Sequence, residues 1–485
     1  MDEQLQTIEL TSRPTDKALI SKQRLQGIFK DLREAVRGSQ QDFTEGNLGR
    51  AILLLSVPMV LEMFMESVFA VVDVFYVARI SADAVATVGL TESLLALLYA
   101  IAIGLSMSTT AMVARRIGEK DSAGAAVAAV QAIGIGIVLS VPITLVGILF
   151  APNLLTLMGA SPTIVETGWG YMAWMLGGNI TIMLIFLNNA IFRGAGDAAI
   201  AMRALWLANI ANIILDPCFI FGLGPFPEMG VTGAAVATNI GRGLGVIYQF
   251  TMLFRRHGRV QLTRRNVQLD IKVMLRLLRV SVGGIFQFLI STASWVALVR
   301  IISIFGSAAL AGYTIAIRII VFGILPSWGL ANAAATLVGQ SLGAQKPERA
   351  ERSVWLTSLC NMIFLGGIGA IFIFFAEPLI RLFTNDAAVV PIGADCLRIV
   401  SYGYLFYAFG MVIVQAFNGA GDTFTPTVIN LFCYWLFQIP LAYSLAIPAG
   451  FGPDGVFWAI CIAESIIAVV GVLVFRRGKW KKRKI

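Results

Sequence analysis

The sequence predicts an all-α integral membrane protein whose twelve transmembrane helices form two pseudo-symmetric six-helix bundles around a central cleft. Three observations carry the prediction: extreme apolarity, basic residues gathered into alternate loops, and an internal repeat. Of 485 residues, 57% are hydrophobic and only 13% are charged, and mean hydropathy is +0.80. A soluble domain carries about 25% charged residues. Apolar runs long enough to cross a hydrocarbon core, which takes about 20 residues, recur along the chain. They must be helical, because lipid offers no partner for free backbone N–H and C=O groups.

Twelve spans follow in order. The first, 51–78, opens the apolar region with Pro58 near its start, and the second, 84–114, ends at the run ARRIGEKD. Spans 125–150 and 164–192 lead to the hexapeptide FRGAGD at 192–197. Spans 200–223, containing NIANIILDP, and 231–254, containing GVTGAAVAT, complete the first half. The second half repeats the order at 279–304, 309–338, 354–376, 392–417, 426–447 and 455–475, with FNGAGD at 417–422.

A shift of 225 residues superposes the two hexapeptides, and it also pairs Ser56-Val57 with Ser281-Val282, Gly104-Leu105 with Gly329-Leu330, and Gly118 with Gly343. One ungapped offset holds through helices and loops alike. Each half has an even number of spans, so both enter the membrane from the same side, as a parallel repeat does. The hexapeptides lack the GK[ST] of a nucleotide loop and read as turns. Gly194 and Gly419 are expected to end one helix in a left-handed cap, with Asp197 and Asp422 capping the next.

Lys and Arg concentrate at 17–50, 115–120, 193–203, 255–279, 346–352 and 476–484, all on one side of a twelve-span chain. The positive-inside rule makes that side cytoplasmic, with both termini inside a plasma (inner) membrane. The net charge of +9 therefore reports topology and anionic lipid rather than nucleic acid. The first fifty residues are polar and basic, so no cleavable signal is expected. The chain divides into an N-terminal extension (1–50), an N-lobe (51–254), a basic linker (255–278), a C-lobe (279–475) and a basic tail (476–485). In the extension, Leu25, Ile28, Phe29, Leu32 and Val36 share the face of an amphipathic helix expected to lie on the membrane surface.

Cys218, Cys360, Cys396, Cys433 and Cys461 form no CxxC pair and read as apolar packing residues, while the single histidine, His257, has no evident co-ligands. No HExxH or GxSxG motif points to an enzyme, and no cofactor is expected.

Ionisable groups at mid-bilayer cost roughly 2.5–3.5 kcal/mol on insertion scales, so each calls for a reason. Glu62, Glu66 and Asp73 fall within about 40° on one face of the first span. In the fifth span Asn212 and Asp216 stack four residues apart, just before Pro217, which frees the carbonyl of Ile213. The repeat places Leu298, Phe437 and Leu441 opposite Asp73, Asn212 and Asp216, so the polar set belongs to the N-lobe. Such oxygens can share a proton or hold a hard cation such as Na⁺. Glu92, Arg300, Arg318 and Glu464 are expected nearer the interfaces. Methionines, including Met63 and Met107, enrich the N-terminal half and suit a broad binding surface.

Together the paired FxGAGD turns, AMVARRIGEKD, VVD with NIILDP, and GVTGAAVAT make the chain from about 45 to 475 resemble the multidrug and toxic compound extrusion (MATE) family. The resemblance implies a cation-coupled antiporter that expels organic, usually cationic and amphipathic, compounds by alternating access. It assigns the coupling ion, H⁺ or Na⁺, to Asp73, Asn212, Asp216 and Thr238, with Thr232 as a rival, and the helix kink to Pro58. Glu62, Glu66, Met63 and Gln287 are candidates for lining the cleft. The sequence departs from the branch with C-lobe acids on the seventh and tenth helices, since Gln287 stands at the first of those positions. The expected partners are small organic cations and membrane lipid, with no nucleic acid, and a monomer is the default. The competing expectation is a flippase of lipid-linked sugars or another lipid.

Overall fold

The computed structural model describes residues 26–27, 29–39, 41–255, 258–263, 266, 268–483 and 485, and every regular element among them is helical. The N-lobe contains α1 (Leu48–Val77), α2 (Ala82–Gly118), α3 (Ser122–Leu157), α4 (Pro162–Ala195, interrupted at Gly178), α5 (Ala198–Phe221) and α6 (Val231–Phe254). The C-lobe contains α7 (Ile271–Ile302), α8 (Ser307–Gly343), α9 (Pro347–Phe374), α10 (Val389–Tyr402 and Tyr404–Gly419, bent by 57°), α11 (Phe424–Ala446) and α12 (Pro453–Arg476).

Eleven of these, counting the bent α10 as one, are long and apolar enough to span a membrane; α6 is not. Its 24 residues suffice in length, at about 36 Å. Its composition falls short because glycines and polar residues replace bulky apolar ones. Gly233, Gly241 and Gly245 face the backbone of α5, where a Cβ would lie 2.4, 2.5 and 3.0 Å from Phe219, Ala208 and Ala204 carbonyl oxygens. Small residues let membrane helices approach closely, so apolarity gives way to fit.

The lobes meet through contacts that obey the same 225-residue repeat. A Cβ on Gly118 of α2 would lie 2.0 Å from the carbonyl oxygen of Gln340 on α8. A Cβ on Gly343 of α8 would lie 2.1 Å from that of Arg115 on α2. Positions 118 and 343, and 115 and 340, are repeat mates. Likewise α2 meets α7 where Gly104 faces Ser281 and Ile285, and α8 meets α1 where Gly329 faces the backbone of Met59. Hydrogen bonds from Thr336 to the Arg193 carbonyl (3.0 Å) and from Gln340 to the Gly194 carbonyl (2.9 Å) join the lobes at the same level. All lie toward the basic end of the molecule.

That end is strapped from both termini. Residues 29–37 are helical and are held by Arg50, which bonds Asp31 (3.0 Å) and Glu34 (2.7 Å). The following segment passes between the lobes: Arg259 donates to the carbonyls of Ser39 and Gln41, while Lys346 and Arg349 hold those of Thr44 and Phe43. Phe43 is 1% exposed beneath the Arg259 guanidinium. In the tail, Trp480 stacks on Phe475, and Arg115 donates to the Arg483 carbonyl at 2.8 Å. Several loop cations thus bind terminal backbone directly. The amphipathic face is only partly docked: Phe29 and Val36 are exposed and Ala35 is buried, whereas Leu25 and Ile28 lie outside the described residues.

The hexapeptides differ from expectation in their glycine roles. Left-handed backbone falls on Gly196 (φ 87°) and Gly421 (φ 81°), not on Gly194 and Gly419. The latter are helical and pack against Thr110 and Ala335 backbone, where a side chain would collide. Asp197 makes no side-chain cap; it faces Arg259 at 3.5 Å. Asp422 instead accepts from Thr425 and faces Arg483. In each turn the first glycine serves packing and the second serves the bend.

Gly118→Ala and Gly343→Ala should each cost about 1–3 kcal/mol, the usual range for overpacking. Gly134→Ala, where a Cβ meets nothing within 4 Å, should be neutral or stabilising. Thermal unfolding in detergent distinguishes them, and equal effects at all three positions would refute the tight crossing.

Candidate functional site

Between the lobes lies a cleft of about 700 Å³, including the solvent at its mouth. Repeat mates face each other across it: Ile103 and Trp328, Met107 and Asn332, Thr110 and Ala335, Arg193 and Asn418. The cleft therefore sits on the pseudo-symmetry axis. Arg193 and Asn418 occupy the single position at which FRGAGD and FNGAGD differ. That difference is the sequence signal for both residues. The C-lobe wall is a chain of amides, with Gln415 donating to Asn332 and Asn418 donating to Gln415, each at 3.0 Å.

Of the four residues expected to line the cleft, Met63 does so; Glu62, Glu66 and Gln287 do not. Glu62 is 1% exposed and stands behind the wall, accepting from Asn189 at 3.0 Å with Arg193 at 3.6 Å. Gln249 of α6 continues the chain by donating to Asn189 at 2.6 Å. Glu66, one turn along α1, accepts from Asn209 of α5 at 3.1 Å. Gln287 is buried on α7. Helical geometry explains the arrangement: the acidic face of α1 turns into its own lobe, while Met63, off that face, meets the cleft.

Farther from the basic end, α5 and α6 bring Asn212, Asp216 and Thr238 together. The Asn212 amide nitrogen donates to Asp216 Oδ1 and to Thr238 Oγ1, both at 3.0 Å. Thr238 is thus the threonine at this site; Thr232 lies against Gly170. Asp216 is 0% exposed, and its Oδ2 and the Oδ1 of Asn212 have no hydrogen-bond partner. Two buried, unpartnered oxygens beside a hydroxyl form a set that suits a proton or a hard cation. Asp73 of α1 lies within electrostatic range of Asp216, Glu92 and Arg242, and accepts no direct hydrogen bond among the described residues. Pro58 sits inside α1, which runs unbroken from Leu48 to Val77.

Arg242 is a member of this neighbourhood that the sequence reading passed over. It lies on α6, one turn after Thr238, and donates to the Tyr99 hydroxyl at 3.1 Å, leaving Nη1 without a partner. A lone arginine inside GVTGAAVATNIGRGLG is itself the signal, because a guanidinium within a bundle needs an electrostatic reason. Glu464 also differs from its expected interfacial place. It accepts from Tyr434 at 3.1 Å and lines a small C-lobe cavity with Tyr404, Tyr407 and Trp295. The cysteines are free, no metal-ligand cluster occurs among the described residues, and His257 lies outside them.

Breaking the Glu62–Arg193 pair from one side strands a buried charge. Arg193→Gln should therefore cost roughly 3–5 kcal/mol, and adding Glu62→Gln should recover most of the loss. Thermal unfolding of the two singles and the double would reveal the coupling; purely additive losses would contradict it.

Comparison with known proteins agrees with the two-lobed geometry. The MatE family model matches the chain twice, at residues 58–218 and 284–444, once per lobe. The probable multidrug resistance protein NorM of Thermotoga maritima is 29% identical over 446 residues, covering 90% of this chain and 94% of that protein. An FAD transporter of Shewanella oneidensis is 24% identical and covers 81% of this chain and 87% of its own. Among solved structures, a MATE crystal structure in complex with MaL6 superposes with TM-score 0.85 at 29% identity, covering 91% of this chain and 99% of that one. With a match spanning the first five helices of each lobe and a cleft on the axis between the lobes, the chain belongs to the MatE family of MATE transporters.

Proposed function

We propose that this chain is an H⁺- or Na⁺-coupled antiporter that exports organic, amphipathic and mainly cationic compounds by alternating access. The observation that carries the reading is the buried oxygen set of Asp216, Asn212 and Thr238 beside Asp73, in the lobe that also forms half of the cleft. Of the ionisable groups that pack around the cleft and the ion site in the N-lobe, the carboxylates Glu62, Glu66, Asp73, Glu92 and Asp216 stand against the guanidiniums Arg193 and Arg242. That excess favours a cation, whether ion or cargo. The cleft itself contributes apolar and aromatic surface from Met63, Met107, Phe186 and Trp328, plus amides, which fits cargo defined by shape and greasiness more than by a specific hydrogen-bond code.

In this reading the ion enters the N-lobe site and takes the partnerless oxygens of Asp216 and Asn212. Asp73, on α1, then exchanges repulsion from Asp216 for attraction to the shared ion. Because α1 also carries Met63 into the cleft wall and Glu62 behind Arg193, a shift of α1 alters the cargo surface. Exchange follows if ion and cargo prefer different states, each shifting the equilibrium by its differential affinity. The second reading, a flippase of lipid-linked sugars or another lipid, draws on Arg193 in the cleft. Glu62 at 3.6 Å offsets that charge, and the remaining lining offers no further cation for a pyrophosphate.

The test is efflux of a fluorescent organic cation from proteoliposomes under separate pH and Na⁺ gradients. Wild type should respond to one gradient, and Asp73→Asn should lose at least about tenfold of that response, as expected when a site worth 1.4 kcal/mol or more is removed. Undiminished coupling in Asp73→Asn would overturn the assignment, and transport of lipid-linked sugar without organic cations would favour the flippase.

A further inference from the structure

Outside the cleft, a second and larger groove opens at the basic end, between α7 and α11. Its basic lining comes from three separate parts of the chain: Arg115 of α2, Arg276 and Arg279 of α7, and Lys482 and Arg483 of the tail. Glu119 is the one acidic side chain in the lining, and it is already paired with Arg116 at 2.8 Å. Arg276, Arg279 and Lys482 have no ion-pair partner among the described residues, while Arg483 faces Asp422 at 3.8 Å. Arg115 is 8% exposed; its Nη2 holds the Arg483 carbonyl, but its Nε has no partner. Like charges gathered around a buried, unpartnered donor call for an anion.

The rest of the groove tells which kind. Away from the basic end its walls become apolar, with Val282, Phe286 and Ile290 on α7 and Phe424, Val428 and Leu431 on α11. Val282, Phe286, Phe424 and Leu431 are exposed. From Arg279 to Ile290 the helix rises about 16 Å, close to the roughly 15 Å half-thickness of a hydrocarbon core. The floor is sealed: Thr423 donates to the Val280 carbonyl (2.6 Å) and Thr427 to that of Gly283 (2.8 Å). A charged mouth joined to an apolar trough of acyl-chain length has the chemistry of a membrane lipid, not of a soluble phosphate.

We propose that this groove is a binding site for an anionic phospholipid, with the headgroup phosphate among Arg115, Arg276, Arg279 and Lys482 and an acyl chain along Phe286, Ile290 and Leu431. Arg115 belongs to the N-lobe, and the other three cations to the C-lobe and its tail. A phosphate held by both lobes bridges them where α2 and α8 cross, so the bound lipid stabilises the state in which the basic end is closed. Basic pockets between transmembrane helices are recognised sites for anionic headgroups.

The experiment uses the full chain in mixed nanodiscs containing phosphatidylglycerol and phosphatidylcholine, with protein-associated lipid quantified after transfer to detergent. Phosphatidylglycerol should be enriched on wild type. Arg276→Gln with Arg279→Gln, both at exposed positions that leave the fold intact, should lower the enrichment by about tenfold or more. Arg33→Gln with Arg255→Gln removes the same charge elsewhere on the basic end and should leave it unchanged. Anionic lipid should also raise the unfolding temperature of wild type more than that of the α7 double variant. Equal enrichment in the α7 variant, equal losses in both double variants, or no preference over phosphatidylcholine would overturn the site. Equally strong competition by water-soluble glycerophosphoglycerol or inorganic phosphate would overturn the lipid assignment in favour of a soluble ligand.

Discussion

The architecture depends on the crossing of α2 and α8, where Gly118 meets Gln340 and Gly343 meets Arg115 with no room for a Cβ on either glycine. In a bilayer the hydrophobic effect does little to hold two helices together, because lipid tails are as apolar as leucine. Close backbone approach and shared hydrogen bonds take its place. The crossing fixes the lobes at one end, so any rearrangement of one lobe against the other must either pivot there or break it. The straps from the two termini cover that same point, each anchored by a buried aromatic side chain of its own, Phe43 and Trp480.

A symmetric frame then carries an asymmetric function. The cleft is lined by repeat mates, yet one wall holds Arg193 backed by Glu62 and the other holds neutral Asn418 backed by Gln415. The N-lobe interior carries a file of acids and amides from Glu62 through Glu66 to Asp216. The C-lobe places Leu298, Phe437 and Leu441 where Asp73, Asn212 and Asp216 stand. Phe437 falls within a π-helical stretch, Leu431–Gln438, whereas the matching part of α5 remains α-helical. π-turns concentrate at functional sites, and this one lies in the wall opposite α7, next to the lipid-facing groove. Glu464 beside Tyr434 gives the C-lobe one polar centre of its own, at the repeat mate of Asn239.

Much of the fold was legible in the sequence, because membrane helices must be long and apolar and because the repeat held one register through its loops. Asp73, Asn212 and Asp216 were legible as polar exceptions in apolar helices, Thr238 only through the family resemblance, and the structure brings Asn212, Asp216 and Thr238 into contact. What the pattern could not give was direction beyond one helix. Glu62 and Glu66 share a face with Asp73, but only the packing of α1 against α5 turns that face inward, away from the cleft. Gly194 and Gly196 look equivalent in FRGAGD, since sequence does not tell a glycine needed for bending from one needed for a neighbour's backbone. The strap through Phe43 rests on Arg259 and Arg349, more than 200 residues away, and no local signal announces it. Arg242 sits between Gly241 and Gly243 in a helix of weak apolar signal, so the sequence marks it less sharply as a membrane-buried charge than the acids of α1 and α5.

The proposed antiport requires the lobes to part and rejoin at the α2–α8 crossing, under opposing control by the N-lobe ion and the cleft cargo. Its most direct measurement is the distance between spin labels at residues 119 and 348, which flank the crossing, in an otherwise cysteine-free chain in nanodiscs. Alternating access predicts a short-distance and a long-distance population whose ratio moves one way with the coupling ion and the other way with an organic cation, the ion response vanishing in Asp216→Asn. A single distance that ignores both ligands, or an ion response that survives Asp216→Asn, would contradict it.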